Sequence, residues 1–277
     1  MTDRFVVFTD LDGTLLDHHT YSFEPASPAI ERLRRNSVPL VLTSSKTMAE
    51  ILDLRRALGN YHPLIAENGG LVAIPENYFT ATFDAGAPET YIWPRLMGPT
   101  AAQIVKLLQQ LREEFGYTFE GFADWDVERV AAETGLTTDQ AMFARQRLAS
   151  EPIRWLDTPE RRETFTAQLT EYHLRTVRGG RFDHVVGNQA DKASAMQYLL
   201  DMYAEREADV RWQTIAAGDS PNDLAMLQNA AIAVVIPAAS GTTLDAANQA
   251  TTLFAKEPGP VGWNAAINEI LDRFHLP

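Results

Sequence analysis

The chain of 277 residues contains no cysteine. Disulfide bonds and thiolate metal sites are therefore excluded, a composition that suits a reducing compartment and predicts a cytoplasmic location. Long apolar runs are also missing, because none approaches the roughly 20 residues that a membrane-spanning helix needs. No signal-peptide pattern precedes the first predicted strand, so we expect neither secretion nor a membrane partner.

Positive charge is scarce as well: 24 lysines and arginines stand against 37 aspartates and glutamates, which gives a formal net charge of −13. This balance argues against nucleic acid and anionic membrane surfaces as partners. A small anionic substrate remains compatible, because a bound metal ion can reverse the local sign. The hydrophobic fraction of 45% permits a sizeable core, in one large domain or two smaller ones. The oligomeric state cannot be predicted from these features.

The clearest local signal is an acidic strand end. The apolar segment 5–9 predicts a strand buried on both faces, and it is followed by Asp10, Leu11, Asp12, Gly13 and Thr14. Alternation along an extended chain places both carboxylates on the same side, where they repel each other unless a cation lies between them. Mg²⁺ is such a cation. The alternative is an acidic turn that only closes the strand.

A second predicted strand, 38–42, ends in hydroxyl side chains. It is followed by Thr43, Ser44, Ser45, Lys46 and Thr47, which lead into a helix. Hydroxyls, a lysine and the backbone N–H groups of a helix start can all bind a phosphate. A simple Ser/Thr cap of the helix is the alternative interpretation.

A third predicted strand, 212–217, ends in a second acidic cluster within the segment Gly218 to Asp223. An acidic helix cap accounts for either Asp219 or Asp223 alone, but less readily for both. Lys192 begins a helix in the same half of the chain. It is either part of this site or a lysine that is simply exposed to solvent. Because parallel strands bring their carboxyl ends to one edge, these groups predict a phosphoryl-transfer site with a magnesium ion and an aspartate nucleophile.

The middle of the chain, 85–187, lacks buried parallel strands and predicts a separate α+β unit with an antiparallel sheet. We place it between the two parts of an α/β core, 1–84 and 188–277. Glu67, Asn68 and Gly69 lie in a predicted hairpin of the core. Gly179 and Gly180 lie in a predicted hairpin of the middle unit.

In this order the motifs resemble those of the haloacid dehalogenase (HAD) superfamily. The four matching features are Asp10 to Thr14, Ser44, Lys192, and Gly218 to Asp223. The middle unit is similar in place and size to the α+β (C2B-type) cap of the Cof-type (IIB) branch. The resemblance implies an α/β, Rossmann-like HAD core with a parallel sheet and an inserted cap domain that determines substrate specificity.

Within this superfamily the chain looks most like the mannosyl-3-phosphoglycerate phosphatase family. The supporting segments are Asp17 to Tyr21, Glu24 to Ala26, Thr43 to Thr47, Glu67 to Gly70, and Arg178 to Phe182 with His184. The likeness implies a Mg²⁺-dependent enzyme that releases phosphate from a small anionic sugar phosphate, a glycosylated phosphoglycerate, in the biosynthesis of the compatible solute mannosylglycerate. The chain departs from the family where Arg145 is followed by Gln146 instead of an acidic residue.

The resemblance also implies roles for individual residues. Asp10 would be the nucleophile and Asp12 the general acid and base. Asp10, Asp219 and the backbone carbonyl of Asp12 would hold Mg²⁺, supported by Asn222 and Asp223. Phosphate would be bound by Ser44, Ser45, Lys46 and Lys192. Substrate would be contacted by Glu67, Asn68, Gly69, Arg178, Gly179, Gly180 and Arg181.

Two other functions fit the same motifs. A sugar-phosphate phosphatase of broad specificity and a phosphomutase with a similar cap would share the core residues. A phospho-sugar sensor without catalytic activity is disfavoured, because Asp10, Asp12 and Lys192 are all present.

Overall fold

A computed structural model of the protein describes residues 2–80, 91–179, 181–245 and 251–277. One sheet of eight strands contains β1 (Thr2–Thr9), β2 (Leu40–Thr43), β3 (Leu64–Ala66), β4 (Leu71–Pro75), β5 (Ile92–Leu96), β10 (Val210–Gly218), β11 (Ile232–Val235) and β12 (Thr252–Phe254). A second sheet contains β6 (Phe119–Gly121), β7 (Ser150–Trp155), β8 (Leu174–Arg178) and β9 (Asp183–Gly187). The helices are α1 (Ser27–Arg35), α2 (Met48–Ala57), α3 (Ala101–Phe115), α4 (Val127–Thr134), α5 (Thr138–Ala144), α6 (Pro159–Glu171), α7 (Lys192–Arg206), α8 (Leu224–Asn229) and α9 (Gly259–Arg273).

The larger sheet has the strand order β12-β11-β10-β1-β2-β3-β4-β5. The six strands from β12 to β3 are parallel, and β4 and β5 continue the sheet as antiparallel strands. Helices cover both faces, as a sheet of mostly parallel strands requires. The predicted α/β core is therefore confirmed.

Both faces of the larger sheet carry apolar cores. On one face Val7 packs with side chains of α1 and α9, including Trp263, whose indole N–H donates to the hydroxyl of Thr9 over 3.0 Å. On the other face Phe8 packs with side chains of α7 and α8, including Met196. These two layers fix the carboxyl end of β1 and the start of α7 relative to each other. None of the described helices combines the length and the apolar character needed to cross a membrane.

The smaller sheet, in the order β6-β7-β9-β8, is antiparallel throughout. Helices α3 and α6 pack on one of its faces around Leu108, Phe165 and Val185. A separate cluster of buried side chains joins α4 and α5. These features confirm the predicted α+β unit and its hairpin between β8 and β9.

The first predicted boundary of the middle unit, between residues 84 and 85, lies outside the described residues. β5, which the prediction assigned to the middle unit, pairs with β4 in the larger sheet. The reason is that β4 offers an unpaired edge, which the proline-rich composition around residue 94 does not reveal. The second predicted boundary, between 187 and 188, stays a prediction; the strand β9 ends at Gly187.

A buried carboxyl group lies between α3 and the smaller sheet. Glu151 is 4% exposed, and its Oε1 atom accepts a hydrogen bond from the backbone of Ala123 over 2.8 Å. Burial raises the pKa of Glu151 from 4.5 to about 7. The folded state therefore holds a disfavoured carboxylate above pH 7, and this penalty disappears as the pH falls towards 4.5.

We expect Glu151→Gln to raise the free energy of unfolding at pH 8 by about 1–3 kcal/mol, because the amide removes the buried charge. At pH 4 the variant and the parent should be equally stable. Urea unfolding at both pH values measures the difference. Glu163→Gln, an exposed site on α6, is the matched control and should change neither value. A Glu151 variant that is less stable at pH 8 would contradict the expectation.

Candidate functional site

Three carboxylates meet at the carboxyl ends of the adjacent parallel strands β1 and β10. Asp10 follows β1, whereas Asp219 and Asp223 follow β10. Each offers an oxygen atom, and these atoms lie within 4.8 Å of one another. The structure thus brings the two predicted acidic strand ends into one site.

Lys192, the first residue of α7, lies between two of these carboxylates. Its Nζ atom is 2.5 Å from an oxygen of Asp10 and 2.5 Å from an oxygen of Asp223, and the side chain is 1% exposed. Burial raises the pKa of Asp10 well above its usual range, and the charge of Asp223 adds to this effect while Lys192 opposes it. Burial disfavours the ammonium group, but the two carboxylates outweigh it and raise the pKa of Lys192.

Asp223 and Asp219 have different surroundings. The second oxygen of Asp223 accepts hydrogen bonds from the backbone N–H groups of Asp219 and Ser220 and from the Ser220 hydroxyl, over 3.1–3.2 Å. Both oxygens of Asp223 are therefore engaged by the protein. Asp219 accepts a hydrogen bond from the Thr14 hydroxyl on Oδ1 over 2.8 Å. Burial, with the charge of Asp223, raises the pKa of Asp219 to about 6.

Gly13 lets the chain pass close to Asp219. It has a φ of +85°, and a Cβ atom there would lie 2.8 Å from the Oδ2 atom of Asp219. A side chain would therefore be strained and would displace the carboxylate. This explains physically why glycine follows Asp12.

Asp12 forms an ion pair with Lys46, whose Nζ atom lies 2.9 Å from Oδ2. Burial opposes the lysine charge, but Asp12 and then Glu50 raise the pKa of Lys46 above its usual value. The Oδ1 atom of Asp12 is shielded from solvent and has no hydrogen-bond partner in the described part of the chain. An unpaired buried carboxylate oxygen points to a missing donor or cation.

The hydroxyl residues after β2 surround the start of α2. Ser44 is buried, and its hydroxyl accepts a hydrogen bond from the backbone of Lys46 over 3.2 Å. Thr47 caps α2, with Glu50 completing a capping box. The helix-cap interpretation is thus correct for Thr47, while Ser44 and Ser45 stay predicted phosphate ligands.

The donor set suits a hard divalent cation. Asp10, Asp12, Asp219 and Asp223 with the ammonium groups of Lys46 and Lys192 leave a formal charge of −2 when all are ionised. Carboxylate oxygens are the ligands that Mg²⁺ prefers. A divalent cation would neutralise the site.

Glu67 connects the larger sheet with the smaller one. Its carboxylate is fully buried and accepts hydrogen bonds from the backbone of Leu148 (2.8 Å) and Ala149 (3.0 Å) and from the hydroxyl of Ser150 (2.6 Å). These contacts hold the start of β7 against the turn after β3. A contact between Glu67 and substrate stays a prediction.

The next two residues of this turn face the third motif and α7. Asn68 accepts a hydrogen bond from the side chain of Asn222 over 3.0 Å. Gly69 has a φ of +86°, and a Cβ atom there would lie 2.1 Å from the carbonyl oxygen of Asp191. Glycine therefore allows the turn to approach the residue that precedes Lys192. Substrate contacts of Asn68 and Gly69 stay predictions.

The predicted substrate hairpin lies between β8 and β9. Arg178 is exposed at the end of β8, and Arg181 donates a hydrogen bond to the carbonyl of Glu133 over 3.0 Å. The backbone of Gly179 closes the turn through Phe182 over 2.9 Å, and Gly180 lies outside the described residues. Within the described part of the chain, neither arginine contacts the acidic site, so their substrate role stays a prediction.

Sequence reasoning missed two contacts that join the hydroxyl loop to the middle unit. Arg147 donates to the carbonyl of Ser45 over 2.9 Å, and the Thr47 hydroxyl donates to the carbonyl of Phe143 over 2.9 Å. The first partners are 102 positions apart. No local sequence pattern could identify such a pair. The only signal in the sequence is that Arg147 lies close to the start of β7.

We expect Glu67→Gln to destabilise this junction. The amide NH₂ group of glutamine would take the place of a carboxylate oxygen that now accepts a hydrogen bond, so that two hydrogen-bond donors would face each other. The free energy of unfolding should fall by about 1–3 kcal/mol. Ser150→Ala, which removes one of the three bonds and leaves the carboxylate intact, should lower it by about 0.5–1.5 kcal/mol. Urea unfolding of both variants shows which of them loses more unfolding free energy. A Glu67 variant as stable as the parent would contradict a role in holding the two sheets together.

Comparison with known proteins agrees with this geometry. A family model described as haloacid dehalogenase-like hydrolase matches residues 7–90 and 145–259. These two ranges cover more than half of the chain and include the acidic strand ends, the hydroxyl loop and Lys192.

Solved structures share the whole architecture. Protein 0175 of Thermoplasma acidophilum superposes with a TM-score of 0.67 at 19% identity, with 100% of each chain covered. BT1666 of Bacteroides thetaiotaomicron, described among phosphatases of the haloalkanoate superfamily, has a TM-score of 0.65 at 19% identity, with 99% of this chain and 96% of that chain covered. TM0651 of Thermotoga maritima has a TM-score of 0.62 at 18% identity, with 98% and 97% covered. At these identities the similarity establishes the fold.

Proposed function

Because the chain belongs to the haloacid dehalogenase-like hydrolases, an enzyme family of phosphatase type, we propose that it is a Mg²⁺-dependent phosphatase that forms an aspartyl phosphate on Asp10. The observation that carries the proposal is the arrangement around Asp10: one carboxylate oxygen is bound by Lys192, and Asp219 and Asp223 lie beside it. The same lysine would neutralise charge on a transferred phosphoryl group.

Asp10 and Asp12 would divide the chemistry between them. The carboxylate of Asp10 attacks phosphorus, and the bond from phosphorus to the leaving oxygen breaks. Asp12 donates a proton to that oxygen, then takes a proton from the water that hydrolyses the aspartyl phosphate, so that both residues return to their starting state. The ion pair with Lys46 would hold the side chain of Asp12 in place.

The metal ion would be held by Asp10, Asp219 and the backbone carbonyl of Asp12. When bound, Mg²⁺ would offset the negative charge of the phosphate and of the carboxylates. Asp223 supports this assignment as an outer residue, because its two oxygens are engaged by Lys192 and by backbone N–H groups.

For the substrate we propose a glycosylated phosphoglycerate, mannosyl-3-phosphoglycerate or its glucosyl analogue. The proposal depends on the residues shared with that phosphatase family and on the arginines of the middle unit, whose planar side chains suit a carboxylate such as that of glycerate. Arg178 and Arg181 are both exposed and free of ion pairs within the described residues.

A substrate panel tests this proposal. We expect kcat/KM for mannosyl- or glucosyl-3-phosphoglycerate to exceed that for mannose 6-phosphate and p-nitrophenyl phosphate by about 100-fold or more, a transition-state difference of about 2.7 kcal/mol. Equal values across the panel would favour a broad-specificity sugar-phosphate phosphatase. Phosphoryl return to a second hydroxyl of the substrate, with no release of phosphate, would favour a mutase.

The same assay tests the hairpin. Arg181→Ala should lower kcat/KM for the glycosylated phosphoglycerate by about 10- to 1,000-fold and leave p-nitrophenyl phosphate hydrolysis nearly unchanged, because the small ester has no group to reach the arginine. Arg273→Ala, an exposed arginine of α9, is the control. Equal losses on both substrates would assign Arg181 a structural role, and no loss on either would exclude it from the substrate site.

A further inference from the structure

A cavity of about 470 Å³ lies at the opposite edge of the larger sheet from the acidic site. It is lined by Arg4, Leu40, His62 and Trp212, among others. These residues lie at or just before the amino-terminal ends of parallel strands, whereas Asp10 follows a carboxyl-terminal end. A volume of this size accommodates a small organic ligand.

The interior of the cavity is aromatic. Tyr61, His62, Tyr78, Tyr203 and Trp212 all line it. The Tyr78 hydroxyl bonds to the Nδ1 atom of His62 over 2.7 Å and to the Tyr203 hydroxyl over 2.8 Å, which holds these rings in fixed positions. The Trp212 ring packs on Tyr203 with 4.7 Å between centroids. Fixed flat surfaces of this kind favour stacking with a planar ligand.

The rim of the cavity is basic in an otherwise acidic chain. Arg4, Arg34 and Arg206 are exposed there. Arg4 forms an ion pair with Glu207, and Arg34 forms one with Glu31. Arg206 donates one hydrogen bond to a backbone carbonyl over 2.8 Å and forms no ion pair within the described residues. The remaining N–H groups of its guanidinium can therefore donate hydrogen bonds to an anion.

One buried donor of the lining lacks an acceptor. The indole Nε1 atom of Trp212 is shielded from solvent and has no hydrogen-bond partner among the residues that the structure describes. A buried N–H group without a partner costs about 1–3 kcal/mol. Because this atom is shielded from solvent, the penalty belongs to the folded chain itself, and only the ring of Trp212 is offered to a ligand in the cavity.

We propose that the cavity binds a small molecule that joins a flat ring to an anionic group, as a mononucleotide does. The ring lies among the aromatic side chains, and the anion binds Arg206 at the rim. The site is separate from the acidic one, because Tyr203 and Arg206 lie in the last turn of α7 while Lys192 begins that helix. The inference does not depend on the proposed phosphatase activity.

Calorimetric titration of the full chain tests the proposal. The probe is the phosphonate analogue of adenosine monophosphate, which a phosphatase cannot hydrolyse, and adenosine and inorganic phosphate are titrated separately. We expect the phosphonate to bind with a Kd below about 1 mM and adenosine to bind at least about tenfold more weakly. Inorganic phosphate at the same concentration as the phosphonate should leave the Kd of the phosphonate nearly unchanged, because phosphate lacks the ring.

Two variants locate the binding. Arg206→Ala should raise the Kd by about tenfold or more, and Trp212→Ala, which removes an aromatic ring from the lining, should raise it by about fivefold or more. Arg211→Ala is the control, because Arg211 is an exposed arginine on β10 that is paired with Asp3. The proposal is overturned if the phosphonate does not bind, if phosphate at equal concentration displaces it, or if both cavity variants bind as tightly as the parent.

Discussion

Asp10→Asn is expected to lower kcat by at least about 100-fold, about 2.7 kcal/mol of barrier, while the protein stays folded. An amide has nearly the same shape as a carboxylate, but it is a poor nucleophile and a weaker ligand for a hard cation. The substitution also removes a charge that burial disfavours, since Asp10 is 6% exposed and its pKa is raised. We therefore expect little loss of stability.

Asp53→Asn is the matched control for this variant. Asp53 is an exposed residue of α2, and its only contact with a cation among the described residues is a 3.8 Å ion pair with Arg56. Its substitution should leave kcat unchanged. An Asp10→Asn enzyme that keeps more than about a hundredth of the parent kcat, with the contaminating activity of the host excluded, would remove Asp10 from the role of nucleophile.

Lys192→Met should have the second large effect, on both activity and stability. Methionine fills a similar volume, but it leaves Asp10 and Asp223 without the cation that now lies 2.5 Å from each. Removing one member of a buried ion pair typically destabilises by about 3–5 kcal/mol. The loss of charge at the phosphoryl group should lower kcat by at least about 100-fold.

The pH dependence distinguishes this mechanism from a general packing defect. Without Lys192, the pKa of Asp10 in the folded state rises further above its unfolded value, because the lysine charge no longer opposes the effect of burial. The destabilisation should therefore be greatest at neutral pH and should shrink as the pH falls and Asp10 takes up a proton. Magnesium should also reduce it, because the cation replaces part of the missing charge.

Urea unfolding from pH 4 to pH 8, without and with magnesium, measures these effects. Lys106→Met, an exposed position on α3, is the control and should match the parent throughout. A Lys192→Met protein with the stability of the parent at pH 7 and a kcat within about tenfold of it would contradict the assigned contacts.

The central architecture could be predicted from the sequence because its signals are local. Apolar runs that end in Asp10, in Ser44 and in Asp219 identify three strands and the chemistry that follows each. The geometric rule for parallel strands then brings these ends together. Lys192 was predicted to be a site residue because it begins a helix and because it matches a motif of the family that the chain resembles.

Contacts between distant segments could not be predicted in this way. Glu67 lies in a turn whose sequence predicts a hairpin, but its hydrogen-bond donors are more than 80 positions further along the chain. Lys46 was a predicted phosphate ligand, and only the folded structure shows that its ammonium group pairs with Asp12. The same holds for β5, whose place in the larger sheet depends on the free edge of β4 and not on its own composition.

The most direct test of the account is to trap the phosphorylated enzyme. The protein is mixed with substrate and magnesium, quenched with acid during turnover, and treated with borohydride, which reduces an aspartyl phosphate to homoserine. Peptide mass spectrometry then identifies the modified position. The account predicts homoserine at position 10 in the parent and none in the Asp10→Asn variant. Modification at another aspartate, or turnover without any covalent phosphoenzyme, would contradict it.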